Sequence, residues 1–254
     1  MTHPCTVSFR EALRAGAEIY GALKTRLHQA GLSTGLGDEG GFAPDVATPE
    51  QALELVMEAI EAAGYRAASD GVAIALDPAA SGFRGLDGSY EVAGEQLSSE
   101  ELIERYAELV ARYPIWSIEE GLAEDDWAGW KALTERLGSR VQLVGDDIFV
   151  TNPAVIGQAI ERGIANAALI KVNQVGTVTE TLEAMALCRQ AGYAQMVSHR
   201  SGETSDDFIA DLAVGTGCGQ IKAGAPARGE GVAKYNRLSE IERECAEAPF
   251  GLGE

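Results

Sequence analysis

Hydrophobic residues follow two alternating rhythms along this chain. Short apolar runs read as strands: VAIALD, IWSIE, VQLVGD, ALIK, QMVSH and GQIK. Between them, apolar residues recur every three or four positions, the spacing of one helix face. Each apolar run ends in an ionisable residue, in turn Asp77, Glu119, Asp146, Lys171, His199 and Lys222. About 23 to about 42 residues separate one such residue from the next, the length of a strand, a helix and their loops in a parallel βα unit. The pattern predicts an α/β fold of the (β/α)8 TIM-like barrel class, in which strand carboxyl ends converge on one face.

The helices have recognisable starts. Ser98-Ser99-Glu100-Glu101 supplies a hydroxyl cap with a glutamate behind it, opening a helix through ELIERYAELVARY. Further helices are expected over 127–137, 153–163 and 179–192 and through DDFIADLAVG, and GVAKYNRLSEIERECAEA is the last. Two more precede the first clear strand. Residues 8–31 place Phe9, Leu13, Ile19 and Leu23 at helical spacing, and Thr48-Pro49-Glu50-Gln51 opens the second helix with a hydroxyl cap and proline at its first position. A glycine-rich stretch, GLSTGLGDEGGFAPDV, joins them.

A closed barrel of this class needs eight strands, and six are legible. The barrel is therefore expected to be incomplete at its N-terminal end, with residues 4–7 as the tail of an earlier strand. An open arc leaves strand edges uncovered, so the missing strands are expected before Met1 unless something else covers the edge.

The 254 residues carry a formal net charge of −19, which repels phosphate backbones and anionic lipid and argues against nucleic-acid or membrane partners. No apolar stretch reaches the roughly 20 residues a membrane span requires. MTHPC has no basic region followed by an apolar run, so no signal peptide is expected. Cys5, Cys188, Cys218 and Cys245 lie far apart without metal-ligand spacing. A reduced, cytoplasmic setting follows, with Cys188 a small core residue of its helix.

Against this acidic background the strand-end residues suggest chemistry. Asp77, Glu119 and Asp146 follow three successive strands, and an all-oxygen anionic set selects a hard cation such as Mg²⁺. An acidic residue after a strand can also simply cap the next helix. Lys171, at the end of an apolar run, is a candidate general base, or else the ion-pair partner of the carboxylates. In SHRSGE, the imidazole of His199 and the hydroxyls of Ser198 and Ser201 stand beside Arg200, whose guanidinium suits bidentate phosphate binding. His199 can equally be a satisfied core histidine. Glu39, between glycines in GDEGG, is a carboxyl that a flexible loop can carry into a cleft, though taken alone Asp-Glu-Gly-Gly reads as an ordinary loop.

GDEGGFAPD, ALDPAASGF, SIEEGLAEDDW, LIKVNQVGT, MVSHRSGETSDDFIADLAVG and GQIKAGAPARGE together closely resemble enolase, phosphopyruvate hydratase, in order and spacing over nearly the whole chain. The resemblance implies an enolase-type barrel domain over 1–254 with an irregular first half. It also implies Mg²⁺-dependent dehydration of 2-phosphoglycerate to phosphoenolpyruvate. By the same resemblance Asp77, Glu119 and Asp146 hold Mg²⁺, Lys171 is the base and Glu39 the acid. Lys222 neutralises the substrate carboxylate, Arg200 and Ser201 hold its phosphate, and Ser198 and His199 line the pocket. Family members are usually homo-oligomers.

The chain departs from the family in several places. The N-terminal α+β domain and two barrel strands are expected to be absent, and with them a serine loop for a second Mg²⁺, a pocket histidine and a glutamate that works beside Glu39. Glu120 replaces a usual Asp, Gly82 a usual Glu and Gly231 a usual Arg. Alternative expectations are a paralogue acting on a related phospho- or phosphono-carboxylate, and an impaired enolase remnant with a binding role.

Overall fold

Helix α1 (Phe9–Gln29) starts where the Ser8 hydroxyl accepts the Glu11 N–H at 3.2 Å. Helix α2 (Pro49–Ala62) starts where the Thr48 hydroxyl accepts the Gln51 N–H at 3.3 Å. Proline at the first position costs nothing there, because that N–H has no helical acceptor. The Gln51 side chain reaches back to the Ala47 N–H at 2.9 Å. Ile19 of α1 and Ala59 and Ile60 of α2 form a buried cluster with Val72, padded by Leu23, Val56 and Tyr65. The helical pair expected before the first strand is therefore present.

The computed structural model describes residues 8–247 and 250–251. It divides into a central unit, Ile74–Met196, and a terminal unit, Met1–Ala73 with Val197–Glu254. The expected strand tail at residues 4–7 lies outside the described residues.

In the central unit, β1 (Ile74–Leu76) leads through a 3-10 turn (Ala80–Phe83) to a hairpin of β2 (Tyr90–Val92) and β3 (Glu95–Leu97). There follow α3 (Ser99–Arg112), β4 (Ile115–Glu119), α4 (Trp127–Leu137), β5 (Gln142–Gly145), α5 (Pro153–Arg162) and β6 (Ala167–Ile170). A short α6 (Val172–Val175) and α7 (Val178–Gln190) lead to β7 (Ala194–Ser198). Strands β1, β4, β5 and β6 are parallel neighbours in that order. Leu76 lies opposite Ile118, Glu119 opposite Val144 and Gly145 opposite Ala168. Every residue of β6 is buried, as expected of a strand covered on both faces. On α4, Trp130 is fully buried, and its indole N–H is shared between the carbonyls of Leu122 and Ala123 at 3.1 and 3.2 Å. Cys188 is buried on α7, and burial pushes its thiol up to about 11.

In the terminal unit, the end of β7 pairs with β8 (Ile221–Lys222), Val197 opposite Ile221 and Ser198 opposite Lys222. Helix α8 (Phe208–Thr216) precedes β8, and α9 (Gly229–Glu244) follows it. Ala210, Leu238 and Ile241 make their core, with Phe9 and Ile221 against it.

All six apolar runs form strands. The hairpin β2–β3 was not expected: its strands are three residues each, too short to show a period. Its signal is Ala93-Gly94, both at positive φ, 51° and 82°, the backbone of a tight hairpin turn. Helix α7 begins one residue before the expected 179, because Thr177 caps it by accepting the Glu180 N–H at 3.1 Å. Helix α9 begins two residues before the expected 231 and ends at Glu244, short of the expected 248, which lies outside the described residues.

Gly145 closes β5 directly before Asp146. A Cβ there would fall 2.5 Å from the Phe149 ring and 2.8 Å from Ile148, both buried. Gly145→Ala is expected to destabilise the chain by about 1–3 kcal/mol, read as a lower denaturant midpoint.

Candidate active site

Each ionisable residue named from the apolar runs sits at its strand's carboxyl end. Asp77 follows β1, Glu119 ends β4, Asp146 follows β5, Lys171 follows β6, His199 follows β7 and Lys222 ends β8. The registers place Asp77 level with Glu119 on adjacent strands, and Asp146 and Lys171 each one strand further along.

In the central unit the structure pairs Lys171 with Asp146. The ammonium contacts Asp146 Oδ2, and both side chains are largely buried, 14 % and 9 % exposed. Asp146 Oδ1 accepts from the Gln174 amide at 3.2 Å, and the Asp146 N–H donates to Glu120 Oε1 at 2.7 Å. Glu119 is buried and Asp77 exposed. Among the described residues, no three His, Cys, Asp or Glu side chains are gathered as a metal site. Asp77, Glu119 and Asp146 occupy neighbouring strand ends.

The donor chemistry nevertheless fits a hard cation. Glu119, Glu120 and Asp146 are buried carboxyls, and carboxyl oxygens are the donors a hard cation takes. A buried polar atom without a partner is costly, and Glu120 Oε2 has no hydrogen-bond partner. Burial first, then the negative charges of Asp146 and Asp147, pushes the Glu120 carboxyl up to about 8. Its backbone is held in the left-handed region, φ 47°. Two hydrogen bonds keep it there: its N–H donates to Val144 O at 3.1 Å, and its carbonyl accepts from Ala80 N–H at 3.0 Å.

In the terminal unit the structure brings Glu39 to His199. The buried imidazole Nε2 lies 3.3 Å from Glu39 Oε2, without the alignment of a hydrogen bond. Two glycines admit the loop. A Cβ on Gly40 would fall 2.9 Å from the Ala227 carbonyl, and one on Gly224 would fall 2.8 Å from the Glu39 carbonyl and 3.2 Å from the His199 ring. Both have positive φ, 80° and 82°, which glycine adopts without strain. The loop is pinned by Ala225 N–H to Glu39 O at 2.9 Å and by the Tyr20 hydroxyl to Gly40 O at 2.7 Å. Around Glu39 and His199 a small cavity is lined by Arg200, Glu203, Arg228 and Glu230. Ser198 is buried and its hydroxyl donates to the His199 carbonyl at 3.0 Å, while Ser201 is exposed. Arg200 donates its backbone N–H to Glu203 at 3.2 Å.

Sequence reasoning did not single out Lys234, which is 1 % exposed and donates to the carbonyls of Thr204 and Glu230 at 2.5 and 2.9 Å. Nor did it single out Thr151 and Gln174, which touch the Lys171–Asp146 pair. No periodicity marks any of the three.

Residues 1–253 match the family model described as "Enolase, C-terminal TIM barrel domain". The chain belongs to the enolase family. It is 59% identical over 250 residues to the enolase of Rubrobacter xylanophilus, covering 97% of this chain and 58% of that protein. It is also 59% identical over 239 residues to the enolase of Nitratiruptor sp., covering 93% and 56% respectively. The chain therefore spans rather more than half the length of the curated relatives it matches.

Two departures from the enolase pattern have a structural reading. Gly231 packs against backbone: a Cβ would fall 2.9 Å from the Ala223 carbonyl and 3.3 Å from that of Ala225, so this close approach leaves no room for an arginine. Glu120, one methylene longer than the usual Asp, reaches the Asp146 N–H. At Gly82 a Cβ would meet open space, and nothing in the structure requires glycine there.

A carboxyl that ionises near 8 in the folded enolase chain, against an ordinary 4.5, binds its proton more tightly folded than unfolded. Stability then falls as pH rises through that window. Glu120→Gln keeps the acceptor for Asp146 N–H and removes the ionisation. In metal-free buffer the variant is expected to match the parent near pH 4.5 and to exceed it at pH 8, as read by urea unfolding at both pH values.

Proposed function

We propose that the chain is the barrel portion of an enolase that dehydrates 2-phosphoglycerate to phosphoenolpyruvate, a lyase step of glycolysis and gluconeogenesis in the cytoplasm. The observation that carries this reading is the buried Lys171–Asp146 pair at neighbouring strand ends, in a chain 59% identical to proteins named enolase. Its partners on this reading are a small-molecule substrate and further copies of an enolase subunit, with no nucleic acid.

The proton to be removed lies beside a carboxylate, so its loss piles a second negative charge onto an anion. Positive charge must therefore stand where that charge develops. Asp77, Glu119 and Asp146 are the residues that would hold Mg²⁺, which supplies Lewis-acid stabilisation of the substrate carboxylate. Lys171 Nζ, as the neutral amine, takes the proton from the carbon. Lys222 offsets the charge on the carboxylate oxygens. Arg200, with Ser201, binds the phosphate, a task suited to the planar guanidinium fork. Glu39 gives a proton to the departing hydroxyl, and His199, held with Ser198 at the end of β7, lines the pocket beside it.

Gly82 favours a second reading, an enolase-type lyase for a related phospho- or phosphono-carboxylate, because packing does not force the loss of a carboxyl there. A substrate panel separates the two: fastest turnover of 2-phosphoglycerate rejects the paralogue.

The purified chain is expected to convert 2-phosphoglycerate to phosphoenolpyruvate only when Mg²⁺ is supplied. Glu39→Gln is expected to lower that turnover by roughly 100-fold or more, the scale of a lost general acid, while Mg²⁺ affinity stays within twofold. Loss of metal affinity in that variant would show that Glu39 has been given the wrong role.

A further inference from the structure

Between Asp146 and Lys171 the chain makes a turn that no helix or strand accounts for. The N–H groups of Phe149 and Val150 both donate to the Asp146 carbonyl, at 3.0 and 2.7 Å. Val150 and Thr151 follow with φ of 44° and 55°. Two successive β-branched residues in the left-handed region are strained, and such strain persists only where surrounding contacts over-determine it.

Those contacts form a closed circuit. The fully buried Thr151 hydroxyl accepts the Lys171 backbone N–H at 2.9 Å and donates to Gln174 Oε1 at 3.0 Å, with the Leu169 carbonyl a second acceptor at 3.4 Å. The Gln174 amide donates to Asp146 Oδ1 at 3.2 Å. Asp146 Oδ2 meets the Lys171 ammonium, returning the circuit to its start. Each polar group in it is matched by another, which is the condition for a buried network to specify one geometry.

We infer that Thr151 and Gln174 are positioning residues: they clamp the Asp146 carboxylate and the Lys171 backbone in one register, so that a divalent cation and the base are presented together. This rests on the enolase reading for what the base does, but not for what the clamp holds. Without the Gln174 amide the Asp146 carboxylate is free to rotate. Without the Thr151 hydroxyl the Lys171 N–H loses its acceptor, and Gln174 loses the donor that orients its amide. Groups that orient a metal ligand in this way typically cost roughly 10–100-fold in metal affinity or activity when removed.

Thr151→Val keeps the branched shape and removes the hydroxyl, Thr151→Ser keeps the hydroxyl, and Gln174→Met keeps the length and removes the amide. Mn²⁺ affinity of each chain is measured by electron paramagnetic resonance, alongside the unfolding midpoint and kcat and KM for 2-phosphoglycerate. Gln174→Met and Thr151→Val are expected to bind Mn²⁺ roughly 10–100-fold more weakly and to lose kcat more than KM. Thr151→Ser is expected to restore both to within about threefold. Mn²⁺ affinity unchanged in Val and Met variants that remain folded overturns the clamp, as does equal loss in Ser and Val. Where wild type binds Mn²⁺ but turns nothing over, the enolase reading fails and the Mn²⁺ series still decides the clamp. A wild-type chain that binds no Mn²⁺ overturns both.

Discussion

A lysine and an aspartate that meet at the ends of two buried parallel strands set the terms for the rest of the central unit. Taking both charges out of water costs several kcal/mol per ion unless they are matched closely and their remaining hydrogen-bonding capacity is filled. Lys171 and Asp146 meet that demand with each other, Gln174 donates to the second Asp146 carboxylate oxygen, and Thr151 and Glu120 accept the two backbone N–H groups. The local irregularities follow from it. Glu120, Val150 and Thr151 all sit at positive φ, and each belongs to a segment that hydrogen-bonds this pair. Gly145 has no side chain because Phe149 and Ile148 close over it to seal the turn after Asp146.

The terminal unit solves a different problem. Its carboxyl, Glu39, is carried on a glycine-rich loop rather than on a strand, and a loop alone holds nothing still. The loop is fixed by backbone contacts that only glycine permits, at Gly40 and Gly224, and by the Tyr20 hydroxyl. Tyr20 is itself stacked on Phe42 at 4.4 Å, so α1 supplies the rigidity the loop lacks. Helix α1 thereby anchors the loop that carries Glu39. The same economy of space explains Gly231, which lets α9 lie directly against the segment after β8.

Much of this was legible in the residues. Strand ends are marked by the change from apolar run to charge, so the residues alone place Asp77, Glu119, Asp146, Lys171, His199 and Lys222 at strand ends. Helix starts carry their own hydroxyl caps, as at Thr48 and Ser98. What stayed hidden depends on contacts between segments far apart in sequence, or on backbone angles. Thr151 lies 20 residues from the lysine amide it accepts and looks like any polar residue before an Asn-Pro cap. The hairpin β2–β3 is too short for a period, and the proton affinity of Glu120 arises from burial that an acidic dipeptide does not announce.

Proton exchange at carbon 2 of 2-phosphoglycerate in deuterated water tests the central claim most directly, because it reports the base without requiring the hydroxyl to leave. The account predicts Mg²⁺-dependent deuterium incorporation by the wild-type chain that vanishes in Lys171→Ala. Exchange that persists in that variant, or is absent from a folded, metal-loaded wild-type chain, would contradict it.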